Sequence, residues 1–186
     1  MSNVKWHLQV SHLTHFQPPD SVRSAMPNRF TKKEWVRFIK QRRVGVLGTI
    51  GKDGQPVLTP IWYLYRGGRV LMRTARESVK ARNIERDSRV SLCVQEERPP
   101  YASVTLYGTA TVEGETEGLA YDTATRYLGA VAGRAYLQVA AESIQQGEEV
   151  TLVLTPERAL TQDFSKETPA YAQLWLKMKR FLPPAL

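Results

Sequence analysis

Two glycine-bearing turns, Gly51-Lys52-Asp53-Gly54 and Gly67-Gly68, separate runs rich in β-branched and aromatic residues, and their spacing restricts the fold more than any other feature. Val44 to Ile50 precedes the first turn, Val57 to Tyr65 joins the two, and Arg69 to Ala75 follows the second. Asp and Gly tolerate the positive φ that tight hairpins require. Connections this short leave no room for a crossover helix, so three consecutive antiparallel strands are expected. A doubly wound parallel sheet is thereby excluded.

The remaining chain adds strands and short helices around this start. Thr31-Lys32-Lys33-Glu34 has the form of a capping box, and Trp35, Phe38 and Ile39 follow at helical spacing, which predicts a helix ending near Arg43. Ser78 is placed to cap a helix running to about Arg86. Arg89 to Gln95 and Ser103 to Val112 read as strands joined through Glu97-Arg98-Pro99-Pro100-Tyr101. Glu117 to Leu128 and Gly133 to Gln145 read as helices with Gly129 as the stop between them. Val150 to Leu154 is a sixth strand, and Ala170 to Phe181 a last amphipathic helix before Pro183-Pro184. A mainly β fold with helices, six or more antiparallel strands closed into a barrel, buries the edges such a sheet would otherwise expose.

At 186 residues, 42% of them hydrophobic, the chain has the size and composition of one soluble globular domain. Its expected parts are an extended N-terminal arm over 1–28, a barrel over 29–164 and a C-terminal helix over 165–186. No apolar run approaches the ~20 residues of a membrane helix. The first residues lack a signal-peptide core, so a cytoplasmic location is expected. Cys93 is the single cysteine, which rules out an internal disulfide and a cysteine-built metal site. His7, His12 and His15, the three histidines, have no accompanying carboxylate cluster, so no metal is expected.

Charge locates the candidate site. The net charge is +8, yet residues 29–98 hold 17 Lys/Arg against 7 Asp/Glu, so all of the excess lies in one stretch and calls for an anionic partner. Its densest part is Arg73-Thr74-Ala75-Arg76-Glu77-Ser78-Val79-Lys80-Ala81-Arg82-Asn83. A strand ending at Arg73 and Thr74 and a helix starting at Ser78 bring cations, hydroxyls and free backbone N–H groups to one place. Arg73 supplies a fork for phosphate oxygens, Thr74 and Ser78 hydroxyl donors, and Lys80 a point charge. The competing reading is a simple cap beside a solvated basic face. Nearby, Pro60 within Leu58-Thr59-Pro60-Ile61-Trp62-Tyr63 marks an edge or an opening, and Trp62 beside it is either core or the flank of a planar ring.

The glycines at 45, 48, 51 and 54 match neither dinucleotide fingerprint nor P-loop, and no G-x-S-x-G elbow or carboxylate pair occurs. No catalytic side chain is assigned. An enzyme of this sequence needs a bound cofactor for its chemistry.

Taken together, Arg43 to Thr49, Gly51 to Pro56, Thr59-Pro60-Ile61-Trp62-Tyr63, Arg73-Thr74 with Ser78 to Asn83, and Arg89 to Val94 through Pro99-Pro100-Tyr101 to Thr109 resemble the pyridoxamine 5′-phosphate oxidase-like split β-barrel superfamily. The closest likeness is to its flavin- or deazaflavin-dependent oxidoreductase branch. The resemblance spans about residues 30 to 155 and implies a homodimer with two cofactors, FMN or coenzyme F420, at the subunit interface. It implies that Arg73, Thr74, Ser78 and Lys80 hold the phosphate, that Thr59, Pro60, Ile61 and Trp62 line the ring, and that Tyr101 reaches the other subunit's cofactor. The substrate-binding signature of true pyridoxamine phosphate oxidases is absent near the C-terminus.

The function this implies is hydride transfer between the cofactor and a planar unsaturated small molecule, with no membrane or nucleic-acid partner. Arg76, Arg82 and Arg86 would suit the long anionic tail of coenzyme F420. Two other classes are weighed beside it. One is a flavin or haem carrier that turns nothing over, the haem form lacking a barrel histidine. The other is a single-strand nucleic-acid barrel using Trp62, Tyr63 and Tyr65 between Arg66, Arg69 and Arg73.

Overall fold

The computed structural model describes residues 28–146, 148–166 and 169–178. The arm expected over 1–28 therefore lies outside the described residues except for Asn28, as do residues 179–181 of the expected last helix. Among the described residues the chain runs α1 (Lys32–Ile39), β1 (Gly45–Ile50), β2 (Pro56–Ile61), β3 (Leu64–Arg66), β4 (Arg69–Ala75), α2 (Val79–Arg86), β5 (Arg89–Glu96), β6 (Ala102–Glu113), α3 (Leu119–Leu128), α4 (Ala130–Gln145), β7 (Glu149–Asp163), a short 3-10 turn and α5 (Pro169–Met178). The seven strands form one antiparallel sheet in the order β2-β1-β5-β6-β7-β4-β3. This is the mainly β split barrel that the sequence predicts.

The outer strands of that order, β2 and β3, are neighbours in sequence. The expected single strand Val57 to Tyr65 is instead broken at Trp62-Tyr63: β2 pairs with β1, and β3 pairs with β4. Three consecutive paired strands are therefore not formed, because closing the barrel requires the chain to leave one end of the sheet and join the other. At the break the ladder provides no partner, and the Tyr127 hydroxyl fills the gap. It accepts from Tyr63 N–H at 3.2 Å and donates to the Arg43 carbonyl at 2.8 Å. Tyr63 itself is fully buried, and its hydroxyl donates to the Ile39 carbonyl at 2.8 Å. Burial with the neighbouring Tyr127 raises the Tyr63 phenol well above its usual range.

Alternation along the strands builds the core. Val70, Met72 and Thr74 of β4 point inward with Val90, Leu92 and Val94 of β5, Val104 and Leu106 of β6, and Val150, Leu152 and Leu154 of β7. Phe38 and Ile39 of α1 and Ala81 and Ile84 of α2 complete it.

The capping box forms as expected: Thr31 accepts from Glu34 N–H while the Glu34 carboxylate accepts from Thr31 N–H. Lys166 adds a charged partner at 2.8 Å, and together these contacts hold the Glu34 carboxyl near pKa 2. α1 stops at Ile39, short of Arg43, and side chains take the carbonyls around its end: Arg43 donates to Phe38, Tyr63 to Ile39, and Arg126 to Lys40 and Gln41 just beyond. Gly129, at φ 83°, ends α3 as predicted.

Val150 to Leu154 is only the first third of a 15-residue strand. Pro156 and the charged Glu157-Arg158 hid the remainder, but the sheet absorbs them in a bulge, where pairing passes from Tyr107↔Arg158 to Gly108↔Pro156. The backbones approach so closely there that a Cβ on Gly108 would stand 2.1 Å from the Thr155 carbonyl oxygen. Gly108→Ala should therefore cost about 2 to 3 kcal/mol in equilibrium denaturation. An unchanged midpoint would show that this contact is not fixed in solution.

Candidate functional site

Three strand ends and a helix start converge beside the break. Val44 precedes β1, Pro60 and Ile61 close the edge strand β2, Trp62 occupies the gap, Arg73 and Thr74 lie near the end of β4, and Lys80 sits in the first turn of α2. With Tyr136 of α4 these residues line a cavity of about 360 Å³. A second cavity of about 240 Å³ adjoins it, sharing Trp62, Arg73, Thr74 and Tyr136 and adding Ala120, Thr123, Ala124 and Glu149. A cavity of about 480 Å³ lies elsewhere, between residues 41–44 and 95–98, and shares only Val44 with this site.

Six of the nine residues singled out in the sequence thus meet: Pro60, Ile61, Trp62, Arg73, Thr74 and Lys80. The other three do not line this space. Ser78 is the N-cap of α2, accepting from Ala81 N–H at 3.3 Å and from the Thr74 hydroxyl at 3.1 Å. Thr59 is half-buried on β2 opposite Leu47, and Tyr101 is 48% exposed on the β5–β6 link. Pro60 is on an edge strand, where a residue without N–H is tolerated.

The cations of the cluster differ in their engagement. Arg73 is nine-tenths buried, with Nη2 at 2.9 Å from Glu149 and 3.9 Å from Glu115. Its Nε has no hydrogen-bond partner among the described residues, and Nη2 is close to Glu149 without being aligned to it as a hydrogen bond. Arg82 pairs with Glu77 at 3.4 Å, and Arg86 donates to the Ile50 carbonyl and Asn83. Lys80 is half-buried and makes no ion pair among the described residues. Burial lowers its pKa below the usual lysine value, the mark of a charge that lacks a compensating partner.

Trp62 does not flank open space on both sides. Its ring stacks on Tyr127 with centroids 4.9 Å apart and planes 3° from parallel, and Tyr136 leans over it at 6.0 Å. Sequence reading missed Tyr127, Tyr136, Thr123 and Glu149, since helical periodicity assigns α3 and α4 a packing role and does not reveal which sheet face they cover. The adjacent Arg126-Tyr127 pair, polar groups large enough to reach a strand break, was the available signal.

The opening at the seam of this split antiparallel barrel combines a cation with aromatic walls. The chain belongs to the pyridoxamine 5′-phosphate oxidase family, whose model matches residues 31–163. Among solved structures, a conserved hypothetical protein from Mycobacterium tuberculosis is 25% identical, with a TM-score of 0.65 over 86% of this chain and 93% of that one. An FAD-binding protein from Mesorhizobium loti shares the fold at 20% identity and a TM-score of 0.50, over 72% of this chain and 93% of that one. A Listeria innocua protein classed as a pyridoxamine 5′-phosphate oxidase does so at 19% and 0.51, over 69% and 95%. No curated protein sequence matches the chain.

Ser78 provides a test that separates capping from ligand binding. Ser78→Ala should cost about 1 kcal/mol of stability, and Ser78→Asp should recover it, because a carboxylate also caps the helix. The same Ser78→Asp protein should lose affinity for any phosphate-bearing ligand, measured by calorimetric titration. Equal affinity in the two variants would mean that the anion binds away from the α2 start.

Proposed function

We propose that this protein is an oxidoreductase that holds a phosphate-bearing flavin or deazaflavin, FMN or coenzyme F420, in the cavity beside the barrel seam. The observation that carries the reading is Lys80: a half-buried cation with no ion pair among the described residues, in a cavity walled by Trp62 and the Pro60-Ile61 backbone. An entering phosphate supplies the missing counter-charge. The first N–H groups of α2 add donors whose chemistry fits a phosphoryl group. The bound ring would supply the hydride chemistry.

The chain's own residues do the rest. Pro60 and Ile61, at the end of an edge strand, present backbone to one margin of the ring, and Trp62, held by Tyr127, limits its tilt. The α3–α4 pair keeps water from the inner side, so that donors act in a medium where they are stronger than in bulk water. No side-chain acid is assigned.

Arg82 and Arg86 already have protein partners, so a long anionic tail gains little from them. Coenzyme F420 with a long or a short tail should therefore bind equally well. The working unit is a homodimer in which Tyr101 reaches the partner's cofactor. Leu58 (67% exposed), Leu160 (50%) and Val44 (47%) supply apolar surface for a second copy to cover.

Titration of the full chain with FMN and with coenzyme F420 tests the reading. Micromolar or tighter binding of one of them is expected, weakened roughly tenfold or more by Lys80→Met. Affinity should fall as pH rises through the Lys80 pKa, which lies below the usual 10.5, and Lys80→Met should remove that dependence. Binding of neither cofactor, or binding indifferent to Lys80→Met, would sink the proposal. Firm binding with no turnover across planar electron acceptors would make the protein a carrier.

A further inference from the structure

The inner cavity, of about 240 Å³, is not explained by a phosphate site. It is bounded by Arg73 and Thr74 near the end of β4 and roofed by Ala120, Thr123 and Ala124 of α3 and by Tyr136 of α4. Two buried polar groups border it without partners among the described residues: the hydroxyl of Thr123, a residue 5% exposed, and the Nε of Arg73, whose side chain is 9% exposed. A protein interior rarely leaves such groups unsatisfied, because each then loses its hydrogen bonds to water without replacement. Isosteric valine at 123 would avoid that loss.

The charge around these donors restricts what they can receive. Arg73 stands 2.9 Å from Glu149 and 3.9 Å from Glu115, so its positive charge is already more than matched. Lys80, the cation without a partner, lines the outer cavity and not this one. A second anion would meet two carboxylates at short range, whereas a neutral acceptor oxygen would not. Trp62 and Tyr136 give the chamber aromatic walls, and its volume suits on the order of ten heavy atoms.

We propose that the chamber between β4 and the α3–α4 pair is the binding site for the second reactant: a neutral, planar, one- or two-ring compound whose carbonyl oxygen accepts from Thr123 and Arg73. This deepens the cofactor reading and rests on it for the word reactant. The chamber's selectivity for neutral carbonyls stands on its own geometry.

Three probes of similar size test it by calorimetry on the full chain: chromone, which is neutral with a carbonyl; 2-naphthoate, which is anionic; and naphthalene, which has no acceptor. Chromone should bind at least roughly tenfold more tightly than either of the others. Thr123→Val should weaken chromone roughly tenfold, leave naphthalene unchanged and leave the melting temperature equal or higher. Ala120→Leu should fill the chamber and abolish chromone binding while FMN or F420 affinity stays unchanged. If Ala120→Leu does not fold, the isosteric Thr123→Val still decides. Preference for 2-naphthoate, equal binding of chromone and naphthalene, no chromone binding, or indifference to Thr123→Val would each overturn the proposal. Loss of the cofactor reading alone would show as selective chromone binding by a protein that takes up neither FMN nor F420.

Discussion

The structure depends on how the sheet is closed. β2 and β3 follow one another in the chain yet occupy opposite ends of a seven-stranded order, so two residues, Trp62 and Tyr63, must carry the backbone from one end to the other. Peptide groups in such a gap have no ladder partners, and burying them bare would cost stability at each. Tyr127 from α3 provides a hydroxyl that both accepts and donates there, and its ring lies flat against Trp62. One side chain therefore closes the polar gap and fixes the aromatic wall of the site. The helical excursion between β6 and β7 is thus part of the barrel's seam as well as its cover.

The same closure sets the electrostatics. Arg73 and Lys80 are seven residues apart, yet the strand-to-helix turn between them places them in different surroundings. Arg73 points to the side of β4 covered by α3 and meets Glu149 and Glu115. Lys80, on the first turn of α2, meets no carboxylate among the described residues. The basic stretch is thereby divided into a neutralised arginine facing an inner chamber and an uncompensated lysine facing an outer one. That division is why two ligand chemistries, one anionic and one neutral, can be assigned to adjoining spaces.

Much of this was legible before the fold was known, and the reason is locality. The capping box at Thr31 and Glu34, the cap at Ser78, the stop at Gly129 and the hairpin that pairs Leu64–Arg66 with residues 69–71 each depend on bonds within a few residues. Pro60 signalled an edge strand because a missing N–H has the same consequence in any sheet. The errors had the opposite character. An apolar run from Val57 to Tyr65 contains nothing that marks a break at Trp62, since both halves alternate alike and only their partners differ. Sequence reading ends the strand from Val150 at Leu154, and its continuation through Pro156 depends on a bulge for which Gly108, some fifty residues earlier, leaves the room. Likewise, nothing local ties Tyr136, Thr123 or Glu149 to a site.

From the sequence alone came the antiparallel character of the sheet and the cationic turn of Arg73, Thr74 and Lys80 at the start of α2, which follow from turn chemistry, capping and charge spacing acting over short distances along the chain. The family resemblance, not spacing, joined Pro60 and Trp62 to that turn in one candidate site. Tertiary structure decided which cation keeps a free charge, which aromatic ring faces another, and that the site has two chambers. Such outcomes depend on contacts between segments far apart in sequence, and the closure of the barrel alone brings those segments together.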